Sequence, residues 1–240
     1  MPGQPEAQRR ESQRYVEGDQ VKGGRRRQRP RADQADQIGV PDDEERHQLA
    51  GLSVHSGRQV RVLVSGALTR RTYSVWHYDP AGAVELCVLD HGGAGPGARW
   101  GRDVGVGEQV RLGRPEGSFT LRPETAHHVF VGEETVSVAF GAMLAALPKG
   151  ARISGCVETR TPADRLPLEH ADALDWLTRG GTSLPDATRR LAPAPGGITY
   201  VAGEARTVQQ VRQVLVRELG WDRRAVLTKP FWAPGKKGLE

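Results

Sequence analysis

The stretch RRTYSVW, residues 70–76, places an arginine, a tyrosine and a serine at positions 71, 73 and 74. A guanidinium at 71 can grip a phosphate through paired N–H bonds. Tyr73 can lie over a planar ring, and the Ser74 hydroxyl can meet a ring nitrogen. That set would seat a flavin. The same residues also describe an ordinary β-strand with a solvated basic lead-in, so the rest of the chain must decide between the two.

Two further places suit phosphate. HGGAGPGARW, residues 91–100, follows a strand-like run and leads into a helical turn. Its glycines allow close backbone approach, and unpaired N–H groups at a helix start attract anions. The segments VFVGEETVSVAF (129–140) and YVAGEARTVQQV (200–211) each read as a strand ending in Gly-Glu, with a threonine soon after and then a helix. Ligands of open α/β sheets bind beyond the carboxyl ends of the strands, so these two turns would line one crevice, with Gly132 and Gly203 at its floor. Neither turn matches G-x-G-x-x-G. Other chemistries find no support. Ser118 and Ser137 lack a nucleophile-elbow setting, and His127 and His128 open a strand without metal-ligand spacing. Of the five tryptophans, Trp76 follows the first motif, Trp100 closes the glycine loop, and Trp232 follows Phe231 near the C-terminus. Core packing explains most aromatics. The Phe231–Trp232 pair fits that explanation less well, because it precedes a Pro-Gly-Lys-Lys tail.

The elements that must position these residues fall into three stretches. Residues 1–46 are rich in Gln, Arg, Asp, Glu and Gly and show neither a period of 2 nor one of 3.6, which predicts disorder or an atypical segment. Residues 47–125 hold short alternating runs separated by Gly/Pro turns: QVRVLVSG, RRTYSVWHY, AVELCVLD, and a further strand–turn–strand in GVGEQVRLGRPEGSFTL. This predicts an antiparallel barrel or sandwich. From 126 to 240, strands at HHVFVG, ARISGCVETR, LDWLTRG, GITYVAG and AVLTKPFW alternate with helices. One helix carries apolar Val208, Val211, Val214 and Leu215 on a single face. Strands alternating with helices predict a parallel, doubly wound sheet. The expected fold is thus a β-barrel followed by an α/β domain.

Bulk properties exclude several classes. The chain has 240 residues and a mean hydropathy of −0.53, and no apolar run is long enough to cross a bilayer. The N-terminus has no apolar signal region. Cys87 and Cys156 sit far apart in apolar runs and read as buried reduced thiols, from which a cytoplasmic location is expected. The net charge of +5 suits an anionic ligand. GGRRRQRPR is balanced by the nearby PDDEER, and no nucleic-acid motif accompanies the arginines, so no nucleic-acid partner is expected.

Seven segments together resemble the siderophore-interacting proteins, flavin-dependent ferric-siderophore reductases of the ferredoxin-reductase-like superfamily. They are RTYS (71–74), VLDHGGAGPGARW (88–100), RPEGSF (114–119), VGEETVSVAF (131–140), LDWLTR (174–179), VAGEARTVQQVR (201–212) and LTKPFW (227–232). The resemblance runs in order from about residue 47 to the end. It implies an FAD-binding antiparallel barrel and a parallel-sheet domain for a nicotinamide nucleotide. Arg71 would pair with the FAD phosphates, Tyr73 would stack on the isoalloxazine, and Ser74 would bond near its N5. Leu89, His91 and the amides of Gly97, Ala98, Arg99 and Trp100 would hold the pyrophosphate and adenosine. Gly132, Glu133, Thr135, Gly203 and Glu204 would face the nicotinamide nucleotide, and Phe231 and Trp232 the flavin's other face. Arg160 and Arg165 would meet a 2′-phosphate, favouring NADPH over NADH, while ferredoxin is left open as electron donor.

The implied reaction moves a hydride from the nucleotide to the flavin and single electrons onward to Fe(III). Hard oxygen ligands hold Fe(II) less tightly than Fe(III), so reduction releases the metal. Lys229, Lys236 and Lys237 are the candidate rim for an anionic ferric siderophore. Two features depart from the family pattern. No strand pattern precedes residue 47, so the barrel is expected to be incomplete at its N-terminus, with open strand edges. PFW is followed by alanine where the family commonly has Tyr-Trp-Arg. The alternatives are a general NAD(P)H:flavin reductase serving a redox partner, and a remnant with impaired flavin binding.

Overall fold

The computed structural model describes residues 56–65, 69–80, 82–90, 93, 95–192 and 195–236, and the backbone of 13–17 and 20–22. The first sheet is antiparallel. It contains β1 (Gln13–Glu17), β2 (Gln20–Lys22), β3 (Gln59–Ser65), β4 (Thr69–Asp79) and β5 (Ala83–Leu89), in the order β2-β1-β5-β4-β3. β1 pairs with β5, Gln13 opposite Leu89 and Glu17 opposite Glu85. The sequence predicts no strand before residue 47, and here the structure differs. A five-residue strand with two central apolar residues is too short to show a period. The rest of the N-terminal stretch lies outside the described residues.

The strand pair expected in 105–121 is absent as a pair. That segment pairs with β3 through isolated bridges, Gln59 with Glu116 and Val62 with Leu112, and through an Arg61–Glu116 ion pair at 2.6 Å. Gly107 and Gly117 take positive φ of 86° and 101° and interrupt any longer ladder. Inside this sheet Val60, Val62, Val75, Val84, Leu86 and Val88 are buried together with Val104, the residue that ends helix α1 (Pro96–Asp103).

The second sheet is parallel, as expected. β6 (His127–Glu133), β7 (Arg152–Thr159), β8 (Asp175–Thr178), β9 (Ile198–Glu204) and β10 (Val226–Trp232) lie in the order β10-β9-β6-β7-β8. Helix α2 (Ser137–Ala145) follows β6, α3 (Leu184–Thr188) follows β8, and α4 (Ala205–Gln213) follows β9 and runs on as a π-turn, Val214–Glu218. β6 and β9 are buried almost throughout, which is why they read as unbroken apolar runs. The register sets Glu133 beside Glu158, Gly132 beside Ala202, and Glu204 beside Trp232. The carboxyl ends of β6, β7, β9 and β10 therefore share one edge.

The two lobes meet over a tight joint. A Cβ at Gly141 of α2 would lie 2.3 Å from the Trp76 ring of β4. Glycine there lets the indole of one lobe rest on the helix of the other. Nearby, the Arg122 amide donates to the Tyr200 hydroxyl at 2.8 Å, and Phe119 meets Tyr200 edge-on at 6.0 Å. Phe119, Met143, Phe130 and Tyr200 share one apolar cluster.

Candidate functional site

β4 carries the first half of the site. Alternation along the strand puts Arg71 and Tyr73 on one face, where both reach helix α1. The Tyr73 hydroxyl lies 3.5 Å from the Gly97 carbonyl, and its ring meets Trp100 at 5.6 Å with a 34° tilt. A Cβ on Gly97 would fall 2.9 Å from the Tyr73 oxygen and 3.2 Å from Arg71 Cγ, so only glycine fits this approach. Burial pushes the Tyr73 phenol up to about 12, opposed by the Arg71 cation. The phenol therefore stays a neutral donor. The Arg71 guanidinium donates to the Arg70 carbonyl at 2.7 Å and is only half-buried.

Ser74 points to the opposite face. It is 7% exposed, and its hydroxyl is buried with no protein partner. An unpaired buried hydroxyl is costly unless something else meets it. The pairing of β4 with β5 shifts register between Val75 and His77, immediately after this residue. Such irregularities re-aim side chains beside sites.

Helix α1 is anchored by Arg102, which bonds Asp90 at 2.8 Å and the Gly93 carbonyl at 2.9 Å. The Arg99 amide is already used, donating to the Gly95 carbonyl at 3.0 Å. Pro96 has no N–H. This narrows the amides available to an anion from the expected Gly97–Trp100 set to Gly97 and Ala98, the first-turn positions with no intrahelical acceptor. Leu89 ends β5, and His91 lies outside the described residues.

The second half is a cleft of about 790 Å³ at the shared carboxyl edge of the parallel sheet. Glu133, Glu158, Glu204 and Glu218 line it with Arg179, Arg189 and Trp232. Glu133 is 4% exposed yet well partnered. It accepts from the Thr135 amide at 3.0 Å, from the Thr135 hydroxyl, and from Trp232 Nε1 at 3.0 Å. Burial holds its carboxyl above the usual range, against the pull of those three bonds. Gly203 has φ of 132°, and a Cβ there would sit 2.8 Å from Glu133 Oε1. Glu204 caps α4, accepting from the Arg206 and Thr207 amides at 2.9 and 2.8 Å. Burial raises its pKa, but these bonds outweigh it and leave the group below its ordinary value.

The two Gly-Glu turns, expected from sequence to line one crevice, put Glu133 and Glu204 in the lining of this cleft. Each glutamate caps the helix start that follows it, so a carboxylate already occupies the place an anion would take.

The arginines are partnered too. Arg179 reaches Glu134 at 3.0 Å and Glu158 at 3.4 Å. Arg189 reaches Asp186 at 2.6 Å and Glu218 at 2.7 Å. Arg165 stacks on Trp176 at 5.2 Å, and the Arg160 amide donates to Glu134 at 2.6 Å. Neither Arg160 nor Arg165 lines the cleft. Phe231 packs against the apolar cluster between the lobes rather than beside Trp232. Lys229 is half-buried on β10, Lys236 is exposed, and Lys237 lies outside the described residues.

Sequence reasoning missed Glu158, Arg179, Arg189 and Glu218. Arg179 stood inside the LDWLTR segment and Glu158 at the end of a predicted strand, so both had a positional signal. Arg189 and Glu218 meet across 29 positions and had none.

Comparison with known proteins accounts for both halves. Residues 17–119 match the siderophore-interacting FAD-binding domain, and residues 125–235 match the siderophore-interacting protein model. An uncharacterized protein of Mycobacterium tuberculosis is 30% identical over 188 residues, covering 69% of this chain and 65% of its own length. Ferric vibriobactin reductase ViuB of Vibrio cholerae is 27% identical over 177 residues with the same coverage. The chain therefore spans about 65% of the length of these curated relatives. A siderophore utilization protein from T. fusca superposes with a TM-score of 0.68 at 23% identity, covering 81% of this chain and 86% of that one. With both halves matched in order, the chain belongs to the siderophore-interacting protein family.

Proposed function

We propose that the protein is an FAD-dependent oxidoreductase that passes electrons from a nicotinamide nucleotide to Fe(III) held by a siderophore, releasing the iron as Fe(II). The observation that carries this reading is the Arg71–Tyr73–Gly97–Trp100 cluster on one face of β4, followed on the same strand by the buried, unpaired Ser74 hydroxyl. A neutral phenol, a cation and a glycine that admits close approach fit a flavin nucleotide, and the next residue of the strand offers an unpaired hydroxyl. The family match and the reductase name of the Vibrio relative support the same chemistry.

FAD, when bound, supplies a centre that takes up two electrons as hydride and gives them up singly. The protein's own groups do the rest. Arg71 and the Gly97 and Ala98 amides hold the phosphates, and Arg102 fixes the loop that presents them. Tyr73 covers the ring and, buried and neutral, adds no charge to it. Ser74 offers a hydrogen bond at the ring edge. The cleft at the carboxyl edge of the parallel sheet receives the nucleotide, and Trp232, tethered to Glu133, stands at its side. Lys229 and Lys236 serve the anionic ferric siderophore.

The test begins with the visible spectrum of the purified chain after incubation with FAD. Flavin bands that bleach anaerobically on adding a nicotinamide nucleotide, and return on adding a ferric siderophore while a chelator traps Fe(II), are the expected result. A protein that never retains flavin overturns the reading. Replacing Lys229 and Lys236 with glutamine should raise the substrate KM in a salt-dependent way and leave flavin content unchanged. An unaltered KM removes the lysine rim.

A further inference from the structure

Resting on the assignment of the cleft to a nicotinamide nucleotide, we infer that this chain selects NADH over NADPH, with Glu158 as the residue that decides. The two nucleotides differ only at the 2′ position of the adenosine ribose: a hydroxyl in one, a phosphate in the other. Whatever holds the shared pyrophosphate cannot discriminate between them, so selection falls to the charge that faces the ribose.

β6, α2 and β7 form the first strand–helix–strand unit of the parallel sheet. In the glycine-rich dinucleotide-binding α/β folds an acid near the end of the second strand takes the ribose 2′-hydroxyl, and an arginine nearby takes the phosphate; the end of β7 is the equivalent place here, without the glycine fingerprint. Glu158 occupies that end, beside Glu133 in register, and lines the cleft with its side chain largely buried at 19% exposure. A carboxylate accepts a hydrogen bond from a hydroxyl and repels a phosphate.

The neighbouring cations do not reverse this. Four glutamates and two arginines line the cleft. Arg179 is shared between Glu134 and Glu158, and Arg189 between Asp186 and Glu218. A 2′-phosphate would have to compete with carboxylates already in contact with both guanidinium groups. The two arginines that follow β7 in sequence do not compensate, since Arg165 lies on Trp176 and Arg160 stands outside the cleft lining.

Calorimetric titration of the full chain with ADP-ribose and with 2′-phospho-ADP-ribose reads this directly and needs no turnover. ADP-ribose is expected to bind at least about tenfold tighter. E158Q should erase about tenfold of that ratio, because it removes a charge-assisted bond to the hydroxyl and leaves Arg179 paired with Glu134 alone. E158A, measured alongside, should move the ratio the same way. Melting curves of both variants confirm that each is folded. Equal or tighter binding of the 2′-phosphate compound by the native chain overturns the inference, as does an unchanged ratio in both variants. Failure of either compound to bind, in protein whose flavin spectrum is intact, removes the nucleotide from the cleft altogether and leaves the flavin seat standing.

Discussion

The proposed flavin seat on β4 and the proposed nucleotide cleft on the parallel sheet treat their polar groups in opposite ways. At the seat, a buried hydroxyl is left without a partner and a guanidinium is only half-buried. At the cleft, both helix starts are capped by carboxylates and both lining arginines are ion-paired. The seat is unfinished without a ligand, whereas the cleft is already satisfied. A ligand that meets the Ser74 hydroxyl gains a bond without breaking one, as suits a retained cofactor. One that enters the cleft displaces existing partners, which keeps its binding weak and reversible, as suits a cosubstrate that must leave each turnover.

The largest disturbance to this arrangement would come from the joint that both regions share. Gly141→Leu would drive a side chain into the Trp76 ring and should cost about 3 kcal/mol or more, read as a lowered melting temperature together with loss of flavin. Next is Arg71→Ala, which should weaken FAD by about 10- to 100-fold, the worth of a charged hydrogen-bonded contact. Fluorescence titration should show this while nucleotide binding at the cleft stays unchanged; parallel weakening of both would erase the contrast between the regions. Ser74→Ala should change sign with occupancy. Without FAD it should stabilise the protein by about 1 kcal/mol, since a buried unpaired hydroxyl is removed, and with FAD bound it should destabilise by a similar amount. Thermal unfolding with and without FAD decides it.

The smallest effect lies in the cleft. Burial holds the Glu133 carboxyl above its ordinary range, so the folded state keeps this proton to higher pH than the unfolded chain. Its stabilising contribution is complete below the unfolded pKa and is lost as pH rises through the folded one. Trp232→Phe removes a bond that favours the charged form. The decline should then extend to higher pH and deepen by about 1 kcal/mol or less. Urea unfolding from about pH 4 to about pH 8 would show it, and an unshifted decline would separate Trp232 from Glu133.

The same contrast explains what could be read in advance. The parallel sheet was legible almost element by element, because β6 and β9 are buried on both faces and their apolar runs end in glycine. Arg71, Tyr73 and Gly97 were legible as a group, since strand alternation and a glycine turn put them within reach of one another. β1 was not, because a five-residue strand has too few positions to show a period. The saturation of the cleft also escaped, for a different reason. Glu133 and Glu204 were visible as residues, but whether a carboxylate caps its own helix or waits for a ligand depends on side-chain geometry that spacing does not specify. Arg189 and Glu218 meet only because α3 and the π-turn after α4 pack side by side.

Trp76 resting on Gly141 has a mechanical consequence. The indole that pins the two lobes belongs to the same strand as Arg71, Tyr73 and Ser74, only two positions beyond the serine. A rigid strand transmits displacement along its length, so the lobes cannot hinge apart without tugging on the residues of the proposed flavin seat. Seat and pivot are one lever. Any parting of the lobes is felt along β4, and a protein whose β4 residues hold a ligand should be stiffer at its waist than one without.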